Sequence, residues 1–147
     1  MLNHDEKNLS KPIVILASSR SDGNTHAFAS QVFPSDTADF VDLNKLKIGY
    51  FSYTNSNAND DFPPLLAAML KRQVWVLATP LYWYTMSAQA KTFIDRLSDT
   101  IVFHKDLGRQ LRGKSLAVLS ASITTRAGGF ASELMFEKIL NLARSSS

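Results

Sequence analysis

Three short apolar runs constrain this chain more than any other feature: PIVILA at Pro12–Ala17, VWVLA at Val74–Ala78 and LAVL at Leu116–Leu119. Each is followed by Pro or by polar turn residues. A run that stays apolar instead of alternating reads as a strand buried on both faces, the mark of a parallel sheet covered by helices. Phe40–Leu43 (FVDL) reads as a weaker strand at an edge, because Asp42 interrupts it.

Helical patterns fill the gaps. Thr25–Val32 can open a helix after Gly23-Asn24. Leu65–Arg72 follows Pro63-Pro64 and Asp60-Asp61, residue types that suit a helix N-terminus. From Ser87 to Leu97, Ala90, Phe93, Ile94 and Leu97 share one stripe. Ser132–Ala143 reads as a last helix, with Ala131, Met135, Ile139 and Leu142 on one face. The alternation predicts an α/β, flavodoxin-like, doubly wound parallel sheet in the order 2-1-3-4. The fifth strand of such a sheet is missing from the pattern. Strand four is then expected to be a bare edge, unless a partner subunit covers it.

Composition narrows the class. The 147 residues fit a single domain, 1–147, with a polar N-terminal tail at 1–11, and 45% hydrophobic content is enough for a core. The net charge of +3 comes from scattered Lys and Arg, which does not suggest a nucleic-acid face. The absence of cysteine excludes disulfides, thiolate metal sites, iron–sulfur clusters and a Cys nucleophile. The segment MLNHDEKNLSK lacks the apolar stretch of a secretory signal, and no apolar run approaches ~18 residues. The expectation is a cytoplasmic protein with no membrane insertion.

Ligands of an open parallel sheet bind beyond the carboxyl ends of the strands, so the loops there carry the functional reading. After strand one, SSRSDGNT (Ser18–Thr25) packs four hydroxyls, an amide and a guanidinium into eight residues. It admits two readings: ordinary turn and N-cap residues, or a phosphate cradle at a helix N-terminus. It is neither a Walker loop nor GxGxxG. After strand three, Thr79-Pro80-Leu81-Tyr82-Trp83-Tyr84 sets three aromatics in a row. They either wall a flat heteroaromatic ligand or pack on a neighbour. Asp95 and Arg96 read as a structural ion pair, and the lone His26 and His104 are not assigned catalytic roles. After strand four, Ser120 to Gly129 offers small residues and Gly128-Gly129 for close backbone approach.

Together, SSRSDGNT, ATPLYWYTMSAQAKTFIDRL (Ala78–Leu97) and GKSLAVLSAS (Gly113–Ser122) resemble the NADPH-dependent FMN reductase family, which includes NAD(P)H:quinone and azo-type reductases. The resemblance runs from about Ile13 to Leu142. It implies FMN as cofactor, NAD(P)H as co-substrate and no obligatory protein acid or base. It implies hydride transfer from nicotinamide through FMN to a quinone, azo compound, flavin or similar small acceptor, in a homodimer or homotetramer. The phosphate would fall to Ser18, Arg20, Ser21, Asn24 and Thr25. The flavin ring would fall to Pro80, Leu81, Tyr82 and Trp83, with Ser120, Thr124 and Gly128 or Gly129 completing the pocket. Apart from the resemblance, and only if FMN binds, Arg126 is a candidate partner for an anionic substrate. Family members commonly have Gly at the position of Ala17 and often Pro at that of Ser19. Iron–sulfur relatives place cysteines between Leu46 and Phe62, where this chain reads KIGYFSYTNSNANDDF. A flavodoxin-like electron carrier is the competing reading, and the +3 charge argues against it, since such carriers are typically acidic.

Overall fold

A computed structural model describes residues 11–123 and 130–136. In chain order the elements are β1 (Ile13–Leu16), α1 (Asn24–Val32), β2 (Asp39–Asp42), a 3-10 turn (Leu43–Lys45), α2 (Phe62–Leu70), β3 (Val74–Tyr82) and β4 (Thr85–Met86). Then follow α3 (Ala88–Arg96), α4 (Asp99–Val102), α5 (Lys105–Gln110), β5 (Ser115–Ile123) and β6 (Phe130–Phe136). The sheet runs β2-β1-β3-β5-β6, with β4 paired to the end of β3. β1 is parallel to β2 and to β3, and β3 is parallel to β5. The four parallel strands therefore take the order expected from the apolar runs.

Strand geometry explains the two-sided core. Successive side chains on a strand point to opposite faces. Ile13, Ile15, Trp75, Leu77 and Leu116 accordingly join Phe62, Leu66 and Met69 of α2 and Phe93 of α3 in one cluster. Val14, Leu16, Val76, Ala78, Ala117 and Leu119 join Ala29 of α1 in the other, with Phe28 and Phe33 against it. Fully burying each large aliphatic side chain contributes about 1.5–3 kcal/mol. The central strands need apolar residues at every position because both faces are covered, which is why they stood out.

The edge beyond β5 departs from expectation. No parallel fifth strand occurs among the described residues, but β5 is not bare. β6 pairs with it antiparallel, from Ala117↔Phe136 to Ile123↔Phe130. Residues 132–136 are thus strand, not the start of the expected helix at Ser132, and 137–143 lie outside the described residues. An antiparallel strand satisfies the same backbone groups that a parallel one would, and moves the sheet edge outward by one strand.

Two other boundaries moved. α2 starts at Phe62, so both prolines lie within its first turn, where a missing N–H costs no helical bond. β3 continues past Ala78 to Tyr82, so the segment expected as a loop is a strand end and the start of a hairpin. Pro80 is tolerated because β1 pairs with β3 only as far as Ala78.

Candidate functional site

The chain leaves β1 toward β2 and returns to place β3 on the other side of β1, so the strand order reverses between β1 and β3. Two loops meet at that point. The first follows β1. Ser18 is buried, and its Oγ accepts the N–H of Arg20 at 3.3 Å, which folds the loop back on itself. Arg20, Ser21 and Asn24 are exposed, whereas Thr25 is buried in the first turn of α1. Gly23 is the N-cap of α1 and supplies no side chain to its free N–H groups. A Cβ on Gly23 would stand 3.2 Å from the Cβ of Arg20, so glycine lets the loop close tightly. The result is an exposed guanidinium, hydroxyl and amide beside the positive end of a helix, groups suited to an anion.

Asn44 braces this loop from the turn after β2. Its Nδ2 donates to the Ser18 carbonyl at 2.7 Å and to Ser21 Oγ at 3.4 Å, and its Oδ1 accepts from Gln89 Nε2 at 3.3 Å. Gln89 and Asn44 thereby link the first loop to the start of α3. Beside them Leu43, Leu46, Ile48, Ala88, Gln89 and Thr92 line a cleft of about 220 Å³.

The second loop is a β-hairpin. Tyr82 pairs with Thr85 and Leu81 with Met86, leaving Trp83-Tyr84 as a two-residue turn. Both turn residues have positive φ, 49° and 65°. That is the signature of a type I′ turn, whose positions normally go to Asn-Gly. Here they carry two aromatics, 92% and 95% exposed. A non-Gly residue held at positive φ costs on the order of 1–3 kcal/mol. The strain sets two large rings in solvent, where packing cannot repay it.

The hairpin base is locked. Ser87 Oγ donates to the Ala17 carbonyl at 2.6 Å and, as the N-cap of α3, accepts the Ala90 N–H at 3.1 Å. The Ser87 N–H donates to Thr79 Oγ1 at 3.0 Å. This buried hydroxyl pair ties β3, α3 and the end of β1 together. Higher up, Ser19 Oγ and Tyr82 Oη meet at 2.9 Å, joining the first loop to the hairpin.

Of the other expected positions, Pro80 is buried on β3, while Leu81 and Tyr82 are 44% and 43% exposed. Ser120 is half-buried on β5, in register with Thr79. Thr124, Arg126, Gly128 and Gly129 lie outside the described residues. Ser19, Asn44, Thr79, Ser87 and Gln89 were not expected in the site. Ser87 carried a readable signal, an N-cap Ser before a helical stripe. Asn44 acts across 26 residues, and no local pattern marks such a contact.

Arg96 is structural, as expected, but its partners differ. Asp95 pairs with Lys91, one helical turn back on α3. The Arg96 side chain, 2% exposed, instead donates to Asp60, to Asp99 at 3.0 Å, and to the carbonyls of Gly49 at 3.0 Å and Asn57 at 3.2 Å. It also lies 4.7 Å above the centre of the Phe62 ring. Burial alone would raise the Asp60 pKa. Hydrogen bonds from Arg96 and from the N–H groups of Gly49 and Phe62 outweigh that and hold it below the ordinary 3.8. For Arg96 burial acts downward, and the two aspartates outweigh it, so its pKa is raised. This network fastens the segment between the 3-10 turn and α2 to the end of α3. Among the described residues no group of His, Asp and Glu is placed to hold a metal ion, and no helix is long and apolar enough to cross a membrane.

A parallel doubly wound sheet with an anion-suited loop and an aromatic hairpin at its switch point defines an α/β domain of the flavodoxin type. Residues 10–144 match the NADPH-dependent FMN reductase family, and the chain belongs to it. YwqN of Bacillus subtilis (strain 168), provisionally named an NAD(P)H-dependent FMN-containing oxidoreductase, is 31% identical over 97 residues, which are 62% of this chain and 54% of that one. The chain thus spans about half the length of that curated relative. Among solved structures, the Trp repressor binding protein from Bacillus subtilis superposes with a TM-score of 0.61 at 26% identity, over 78% of this chain and 65% of that one. An NADPH-quinone reductase from P. pentosaceus shares the fold, with a TM-score of 0.54 at 19% identity over 78% of this chain and 61% of that one.

Proposed function

We propose that this chain binds FMN at the β1/β3 switch point and acts as an NAD(P)H-dependent reductase of a small acceptor. The observation that carries the reading is the joining of the polar loop after β1 to the strained aromatic hairpin after β3. The donor set fits the cofactor. Arg20, Ser21, Asn24 and the first turn of α1 suit a phosphate ester, and Ser18 holds the loop in shape. Tyr82, Trp83 and the backbone from Pro80 to Leu81 suit a flat ring system.

Bound there, FMN would supply two-electron chemistry between a reduced nicotinamide and an acceptor such as a quinone, an azo compound or a flavin. The protein's own work is positioning. Arg20 neutralises phosphate charge through a charge-assisted hydrogen bond. The hydroxyl lock of Thr79 and Ser87 keeps the hairpin at the edge of the site. The exposed rings of Trp83 and Tyr84 offer an aromatic surface on which a nicotinamide or a planar acceptor can stack.

Adding FMN to purified protein and recording its absorbance tests binding. Rapid mixing of the loaded protein with NADPH then tests turnover. Bleaching of the bound flavin on a catalytic timescale supports the reductase. Stable flavin binding with no bleaching by NADH or NADPH would leave a carrier or binding module instead.

A further inference from the structure

Tyr82 is the last residue of β3, directly before the strained Trp83-Tyr84 turn. Its hydroxyl does not point back to the hairpin base. It meets Ser19, 63 residues earlier, at 2.9 Å, in the middle of the polar loop. Both partners are exposed, so water could satisfy either hydroxyl, and the bond is not needed to rescue a buried polar group. A further contact between the two segments lies at their roots, where Ser87 Oγ donates to the Ala17 carbonyl. Ser19 stands between Ser18, which is buried, and Arg20, which is exposed. The bond therefore reaches from the ring-bearing hairpin to the residue beside the exposed guanidinium.

We infer that Ser19 and Tyr82 are a positioning pair that sets the separation between the phosphate loop and the aromatic hairpin. The inference rests on the FMN reading proposed above and adds to it a selection rule. A ligand that carries both a phosphate and a flat ring engages two subsites, and the second contact is intramolecular once the first is made. That gain is largest when the two subsites are already at the right spacing. A ligand that carries only one of the two groups gains nothing from the spacing. The pair therefore selects a phosphorylated ring system over its unphosphorylated parent, without touching either end more strongly.

The test compares FMN, riboflavin and inorganic phosphate on the full chain and on Tyr82→Phe, Ser19→Ala, the double variant and Ser19→Thr. Each single loss is expected to weaken FMN by about fivefold, the size of one net hydrogen bond. In Ser19→Ala, riboflavin and phosphate should bind as before. The double variant should lose no more than either single one, because one bond is removed in each case. Ser19→Thr keeps the hydroxyl and should restore FMN affinity. Equal weakening of FMN and riboflavin in Ser19→Ala would overturn the inference, since the bond would then support the ring subsite alone. Additive losses in the double variant, or no change in FMN affinity, would overturn it too. Failure of the unaltered chain to bind FMN would sink the cofactor reading itself and the pairing role with it.

Discussion

At the scale of single residues, two arginines with opposite surroundings carry opposite roles. Arg20 is exposed in a loop of hydroxyls and forms no ion pair among the described residues, so its charge is available to a ligand. Arg20→Ala should weaken FMN binding by about 1.5–3 kcal/mol without lowering the melting temperature of the ligand-free protein. Arg96 is the reverse case, spent entirely inside the protein. Arg96→Ala strands Asp60 and Asp99 without their cation, and unfolding in urea should show a loss of about 3–5 kcal/mol. The same pair sets an acid limb. Asp60 has a pKa below its unfolded 3.8, so its contribution is complete above that value and is lost as pH falls through the lowered folded one. Arg96 has a raised pKa, so its charge is present throughout this range. Stability measured from pH 6 downward should stay level in respect of this pair until about pH 4 and then fall, and in Asp60→Asn that component of the fall should be missing.

At the scale of elements, the hairpin between β3 and β4 is where local preference and function pull apart. Trp83→Asn with Tyr84→Gly installs the residues that a type I′ turn prefers. The double variant should be more stable by about 1–2 kcal/mol, read from chemical denaturation. It should also bind the flavin ring more weakly. A variant no more stable than the parent would show that the turn is not strained. This conflict is why the hairpin was not legible. Strand residues followed by Pro and three aromatics contain no turn signal, and only the backbone angles reveal one. The central strands were legible for the opposite reason. Ile13–Leu16 and Trp75–Ala78 are buried on both faces, so burial left an unbroken apolar run. β6 was misread because FASELMF also places Ala131 and Met135 one helical turn apart. Pairing with β5, a tertiary effect, decides the matter. Of the site, the Ser-rich loop and the aromatic segment were visible as composition. The hydroxyl lock of Thr79 and Ser87, the brace from Asn44 and the partners of Arg96 were not, because each joins residues far apart in sequence or depends on which way a side chain turns.

For the whole molecule, the order β2-β1-β3-β5 puts the polar loop and the hairpin beside each other, and β6 extends the sheet beyond β5. A ligand bound across that junction ties β1 and β3 together at their open ends. It should therefore stabilise the entire fold by linkage, about 2.7 kcal/mol at a free concentration a hundred times its dissociation constant. Differential scanning calorimetry with increasing FMN should show a melting temperature that keeps rising with ligand. A temperature independent of FMN would mean that the native state does not bind it. Membership of the NADPH-dependent FMN reductase family makes one measurement decisive for the proposed activity. Protein reconstituted with FMN and freed of excess cofactor is mixed rapidly with NADPH in the absence of oxygen, and the flavin absorbance is followed. The expected result is loss of that absorbance within seconds and its return when a quinone is added. Retention of the oxidised spectrum with both NADPH and NADH, in protein that holds FMN, would contradict a nicotinamide-dependent reductase.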